Sequence, residues 1–423
     1  MDNKDKIQGL WWLSDKPENK VSGELLIEER KLELNGTLEG AKSLVSMGNP
    51  KKFIGIQKDK YIFGISQKGN KSFTLEFYDE PTSISITMPG YQSDTYSLGN
   101  IFEGVHLNPK CNGFSKYYVE LPYLFDWAGI GIISSTFHFS SNQKTIEKAV
   151  INIGSIKEVN LYRGNDYKIT YVIRPDKFPL SISQETTISQ RCYLEIESLN
   201  KKVSLANFYD LVFHFTRFLS IAVGCSLEPL CYQARSDTQQ GGLAQIFPHF
   251  YKKRDYKSIH ALEMLFTLSD FGNDLQEILD KWFSQREKYS DVFDLFSAIN
   301  SGSNKNLNNQ FNDIISAIEG YVRIEKNQFE LSLDKCVKIL NETLPENSRP
   351  FTKSDYNKIR VTRNKIAHVA LRPGEENYLL DNKEKYIYLQ KLKFLLEYYF
   401  LRIIGLENNL LDKFFQNKRR LFL

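Results

Sequence analysis

The chain has 423 residues, 41% hydrophobic and 25% charged, with 55 Lys and Arg against 51 Asp and Glu. That length exceeds what one core normally serves, so two or three domains are expected, and the composition excludes wholesale disorder. A net charge of +4 neither demands nor excludes nucleic acid; any basic surface must be local.

The first two hundred residues read as β. Gly23 to Gly36 (GELLIEERKLELNG) holds two short alternating segments flanked by glycine. Tyr61 to Phe77 (YIFGISQKGNKSFTLEF) predicts a hairpin turning near Gly69-Asn70, with Phe73, Leu75 and Phe77 on one face. Further strands are expected at SISIT, GIGIISSTFHF, KAVINI, YKITYVI and RCYLEIE, which together point to a β-sandwich or barrel. The 29 Phe and 23 Tyr fit sheet faces and cores better than stacking platforms.

At Ser204 the period changes. Leu205, Phe208, Leu211, Val212, Phe215, Phe218 and Leu219 recur at helical spacing behind a serine suited to cap them. From there the chain reads as almost wholly helical, with Gln233 to Gln245 as a surface loop and Asn300 to Asn306 (NSGSNKN) as a linker. Beyond the linker, helices are expected at 307–325 and 329–344, on a segment stopped by Pro373-Gly374, and on a long apolar stretch from Asn382 that should be central to a four- to five-helix bundle. A last short helix leads into the basic tail NKRRLFL. The expected organisation is α+β: 1–203 a β-rich sensing or regulatory domain, 204–299 a helical connecting region, and 300–423 the helical bundle.

The five cysteines are scattered and never spaced C-x-x-C, which argues against a disulfide framework and a cysteine zinc site. The start MDNKDKIQGLWW has no apolar signal core. The longest apolar-leaning run, from Phe218, is shorter than the ~20 residues a membrane crossing needs. A cytoplasmic protein with no membrane association, no metal and no cofactor is expected. P-loop, HExxH and G-x-S-x-G patterns are absent from the sequence, as is any clustered two-metal carboxylate motif.

Two stretches place a histidine after an arginine with four to six residues between them: Arg254/His260 and Arg363/His368. With 16 Arg and 6 His in the chain, chance supplies about 0.7 such pairs, so spacing alone does not choose. Context favours the second pair, which lies in the third helical segment of a compact helical unit with Asn364 beside the arginine. The competing reading makes His368 a half-buried structural residue and Arg363 a surface ion-pair partner. For Arg254/His260 the structural reading dominates. Glu319 with Arg323 reads as an ordinary i,i+4 pair, and Lys418-Arg419-Arg420 as solvated charge.

Arg363-Asn364-Lys365-Ile366-Ala367-His368 resembles the R-N-x-x-x-H form of the Rx4–6H motif of HEPN ribonucleases. A β-rich half opening GLWWLSD…GELLIEERKLELNGTLEG ahead of such a bundle resembles the ApeA-like abortive-infection proteins. The resemblance implies a metal-independent endoribonuclease acting on RNA, tRNA included, in anti-phage abortive infection, with a phage-derived trigger sensed by the N-terminal part. It assigns His368 as acid/base, Arg363 as clamp on the phosphate and transition state, and Asn364 as orienting group, with Lys365 and Arg360 as RNA contacts.

The residue types suit that chemistry. Histidine is both acid and base near neutrality, and arginine grips two phosphate oxygens in a fixed fork. Five positions along an ideal helix turn about 140°, so Arg363 and His368 cannot share one face. The motif is expected to straddle a helix end or to be completed by a second copy, making a homodimer or higher even oligomer. The apolar face of the 386–404 helix, broader than its own bundle needs, is expected to contribute to that contact. The alternative is a non-catalytic HEPN-like scaffold that dimerises or binds nucleotides or RNA.

Overall fold

The computed structural model describes residues 6–38, 61–78, 83–87, 91–108, 113–139, 146–177, 187–200, 202–235, 242–250, 256, 259–285, 288–300, 306–368, 372–406 and 411. Arg254, most of the 300–306 linker and the basic tail with its expected helix lie outside them.

The first strands are β1 (Lys6–Leu13), β2 (Val21–Leu26), β3 (Lys31–Leu34), β4 (Ile62–Ser66), β5 (Ser72–Phe77), β6 (Ser83–Thr87) and β7 (Tyr91–Glu103). β1, β2, β3, β4 and β5 pair antiparallel with their neighbours, and the long β7 pairs with both β3 and β5. That double pairing closes a six-stranded barrel, and the expected sandwich or barrel is a barrel here. Gly69 and Asn70 take positive φ at the β4–β5 turn, and Phe73, Leu75 and Phe77 face the core, as the alternation required.

Trp11 fills the barrel. It is fully buried, its indole N–H donates to the Gly23 carbonyl at 3.1 Å, and its ring packs at a tilt against Phe73, with centroids 5.8 Å apart. Its ring lies over Gly64, the residue opposite it on β4, where a Cβ would come within 2.1 Å of the indole. Only glycine fits beneath that ring.

The sheet continues past the barrel. β8 (Lys116–Glu120), β11 (Lys157–Arg163), β12 (Tyr167–Lys177) and β13 (Ser189–Ser198) form its open half. A short helix α1 (Leu124–Ala128) and a separate exposed hairpin of β9 (Ile133–Phe139) and β10 (Ile146–Ile153) interrupt it. The helix expected after Ser204 is α2 (Leu205–Val223), capped by the Ser204 side chain accepting from the Asn207 N–H and ended at Gly224. It lies on the sheet, with Phe208 stacked on Tyr117 at 4.0 Å between ring centroids.

The chain does not then stay helical. β14 (Cys231–Arg235) and β15 (Leu243–Phe247) bound the stretch read as a surface loop, and they slot between β8 and β7. This corrects the helical reading of 204–299. The two strands alternate only briefly, with Tyr232 and Ala234, then Ala244 and Ile246, turned inward between polar Gln233 and Gln245, so the pattern is too short to read without the pairing partners.

Helices α3 (Leu275–Ser284), α4 (Ser290–Asn300), α5 (Leu307–Lys326), α6 (Leu333–Glu342), α7 (Lys353–His368) and α8 (Asn382–Ile403) follow. The helix read from residue 329 starts at Leu333, after Ser332 at its N-cap. α5 packs against α4, α6, α7 and α8, so it shares the centre with the long apolar α8. Phe293 and Phe296 of α4 pack on Phe400 of α8, and residues 394–401 of α8 are buried without a break. The apolar face expected to meet a second copy is therefore covered within one chain. Tyr386 and Ile387, near the start of α8, are what it leaves exposed. α4 approaches α5 closely at Gly320, where a Cβ would stand 3.4 Å from Val292.

One continuous core runs from the open half of the sheet through α2 and into the helical bundle, while the barrel holds a smaller core of its own. Among the described residues no helix is long and apolar enough to cross a membrane.

Gly64→Ala is expected to lower stability by about 1–3 kcal/mol, the usual range for overpacking a filled core. Thermal unfolding followed by tryptophan fluorescence measures this; an unchanged melting temperature would remove Trp11 as the barrel's packing constraint.

Candidate active site

α7 carries the motif, and its N-terminal end is fixed before the motif is reached. Asn341, buried at the end of α6, donates to the Phe351 carbonyl and the Tyr356 hydroxyl (2.8 Å each) and accepts from the Phe351 N–H at 3.2 Å. Asp355 in the first turn accepts from the Thr352 N–H at 2.7 Å and from the Tyr388 hydroxyl of α8. Burial alone would push the Asp355 carboxyl up, but the hydrogen bonds from Tyr388 and Thr352 outweigh it and hold it below its ordinary value. Further along, the Thr362 hydroxyl accepts from the Leu380 N–H at 3.0 Å, pinning the segment that returns to α8.

The helix runs unbroken from Lys353 to His368, so the motif lies wholly within it and ends on its last residue. The angle of about 140° between Arg363 and His368 therefore stands. Arg363 falls on the inward stripe with buried Ile359 and partly buried Ile366. His368 is exposed at the C-terminal end, on the outer stripe with Asn364 and Arg360.

Arg363 reaches across to α5. Glu319, only 8% exposed, accepts from Arg323 Nη2 at 2.6 Å through one carboxylate oxygen. Its other oxygen lies 3.9 Å from Arg363 Nη2. Arg323 is itself held by two bonds to the Leu331 carbonyl, at 3.1 and 2.8 Å. Glu319 is thus a buried carboxylate shared by two arginines from two helices, rather than half of an ordinary i,i+4 pair. The Arg363 Nε–H is shielded from solvent and makes no hydrogen bond to the described residues.

The remaining expected residues fare differently. Asn364 and Lys365 are half-buried beside Arg363. Arg360, expected to touch RNA, donates to Asn357 at 2.7 Å and pairs with Glu375 at 3.2 Å. His260 caps a short 3-10 turn: its Nδ1 accepts from the Leu262 N–H at 3.2 Å, and Glu263 accepts from its own N–H at 3.3 Å. That is a structural task for the second histidine pair. Among the described residues no three His, Cys, Asp or Glu side chains gather as a metal-ligand set.

Glu319 and Asn341 are the site-shaping residues that the sequence pattern missed. The i,i+4 spacing to Arg323 pointed at Glu319, but its second partner comes from another helix and has no signature in local spacing. In a double-mutant cycle read by urea unfolding, Glu319 with Arg323 should show coupling on the order of 0.5–3 kcal/mol, and Glu319 with Arg363 a smaller value. The reverse order would deny that the closer pair dominates.

Two protein-family models match the chain: "ApeA N-terminal domain 1" over residues 6–282 and "Apea-like HEPN" over residues 257–410. No curated protein and no solved structure matches. The first match covers more than half of the chain, the second contains α7 with all of Arg363 to His368, and together they join the barrel-bearing sheet to the helical bundle. The chain is a member of the ApeA family, whose level of description carries a nuclease-like role in defence against phage.

Proposed function

We propose that the protein is a metal-independent endoribonuclease of the HEPN type, acting in abortive infection, with Arg363 and His368 as its reactive pair and tRNA among its candidate substrates. The observation that carries this reading is an arginine braced by a buried carboxylate and an exposed histidine, both on α7 within the HEPN-matching segment. HEPN domains are in general ribonucleases, although the family also has non-catalytic members.

In the proposed reaction the RNA 2′-oxygen attacks the adjacent phosphorus as the P–O5′ bond breaks. One group takes the proton from the 2′-OH and another gives a proton to the departing 5′-oxygen. Neutral imidazole suits the first task and imidazolium the second. The Arg363 guanidinium would neutralise charge on the non-bridging oxygens, for which its planar fork is suited. Glu319 restrains that fork from behind. Asn364, one residue along, would orient the phosphate or the histidine.

One chain supplies one His368, turned away from its own Arg363, so the reading places the working site at a two-fold axis beside α7. A self-complementary contact there brings two copies of each residue to one phosphate. The contact would involve the outer stripe of α7 and the exposed start of α8, because the rest of α8 is already covered.

Purified protein incubated with total RNA in EDTA should cut it, leaving 2′,3′-cyclic phosphate or 3′-phosphate and 5′-hydroxyl ends. 2′-O-methylated RNA and DNA should resist, lacking the nucleophile. Arg363→Ala and His368→Ala should each abolish cutting in a folded protein, whereas His260→Ala should leave it nearly intact. Cleavage that needs Mg²⁺ and leaves 5′-phosphates would exclude the mechanism. A wild type inert even in phage-infected extract would favour the scaffold reading.

Dilution tests the shared site separately. Activity per chain should fall as sedimentation shows dimer giving way to monomer. A monomer of undiminished activity would rule out the two-fold arrangement.

A further inference from the structure

Ile130 and Ile132 still pack on the main core, but from Ile133 onward the chain leaves it. Among the described strands β9 and β10 pair only with each other, and none of their side chains joins either core. The arm they form is held at its base. The Gln190 side-chain oxygen accepts from the Ile132 and Ile133 N–H groups at 2.9 and 3.2 Å, and the Gly154 N–H donates to the Ile132 carbonyl at 2.7 Å.

Alternation sorts the arm into two faces. Ser134, Thr136 and His138 lie opposite Asn152, Val150 and Lys148. The other face sets Ile133, Phe137 and Phe139 opposite Ile153, Ala149 and Ile146, interrupted only where Ser135 meets Ile151. Strict alternation from Lys148 would put Ile146 among the polar residues. A register shift between Ile146 and Lys148 sets it against Phe139 instead, so the irregularity gathers the apolar set on one side.

That side is open to solvent. Phe137, Phe139, Ile146 and Ile151 are each 51–56% exposed. At about 200 Å² for a side chain of that size, roughly 100 Å² of each is bare. With Ala149 and the open parts of Ile133 and Ile153, one copy offers roughly 500 Å², and two facing copies reach the ~1,000 Å² that a specific contact needs. A two-stranded hairpin alone is marginally stable in water and needs a packed face to persist. The face carries no ionisable side chain, so nothing on it repels its own image.

We propose that this face is covered by the same face of a second copy. A two-fold axis through the arm lays one apolar set on the other, making two stacked sheets from two hairpins. This contact is separate from the one placed at α7, shares no residue with it, and does not depend on the nuclease reading.

Sedimentation of the full chain at micromolar concentration, in reductant, tests the arm without a nuclease assay. The measurement is made in a Tyr386→Ser/Ile387→Ser background, which weakens the contact placed at α7 and the start of α8. That chain should still dimerise. Adding Phe137→Ser/Ile151→Ser should weaken the dimer roughly tenfold or more; adding Phe137→Leu/Ile151→Val, which stay apolar, should weaken it less. Thr136→Ser/Lys148→Gln on the opposite face should leave it unchanged. The tryptophan near-UV circular dichroism of wild type certifies that each variant folds. The proposal is overturned if the folded background variant is a monomer, or if its dimer survives Phe137→Ser/Ile151→Ser. It is also overturned if a monomer binds phosphatidylcholine vesicles and loses them on those two substitutions, which would give the face to a membrane.

Discussion

Everything in this fold depends on the β14–β15 hairpin entering the sheet between β8 and β7. Without it the six-stranded barrel and the open half would be separate sheets with unpaired edges, a costly state for backbone N–H and C=O groups. With it, α2 is held across one face between chain segments that both return to the sheet. Phe208 can then stack on Tyr117, and the Trp282 indole N–H of α3 can donate to the His214 carbonyl at 2.9 Å. The bundle is attached through these contacts rather than by a flexible tether, and the core crosses the junction without interruption.

The helical end follows a different logic. Helices α5 to α8 form a unit in which polar side chains at buried or half-buried positions locate one helix against the next: Asn341 between α6 and the start of α7, half-buried Asp355 with Tyr388 between α7 and α8, Glu319 between α5 and α7. Polar groups buried in this way must be paired, since an unmade hydrogen bond there costs about 1–3 kcal/mol. Such pairs fix register more sharply than apolar packing, which tolerates sliding. The placement of Arg363 is inherited from three of these links.

Much of the architecture was legible in the sequence where one side of an element faces a core. Phe73, Leu75 and Phe77 alternate because one face of β5 looks into the barrel, and Ser204 announces α2 because a helix start needs its N–H groups satisfied. The spacing of Arg363 and His368 also conveyed, from helix geometry alone, that the two diverge. What escaped were features whose cause is distant in the chain. β14 and β15 each turn only two residues inward, too short an alternation to read without the neighbours that pair with them on both sides. Glu319 looked ordinary beside Arg323, and the breadth of the apolar face on α8 looked surplus until α4 was seen lying over it. Local pattern reports burial, but not which element does the burying.

The contact at Gly320 has a mechanical meaning. Val292 Cγ2 of α4 stands 3.4 Å from where a Cβ at Gly320 would be, an ordinary van der Waals distance, and Glu319 is the residue just before that glycine. Groups packed at that distance mesh like teeth, because packed interiors resist compression. The far side of α4 holds Asp294 and Ser297 against Arg217 of α2. α4 thus touches α2 at Arg217 on one side and α5 beside Glu319, the carboxylate that faces Arg363, on the other. One helix, α4, is all that stands between the helix lying on the sheet and the helix that carries this carboxylate.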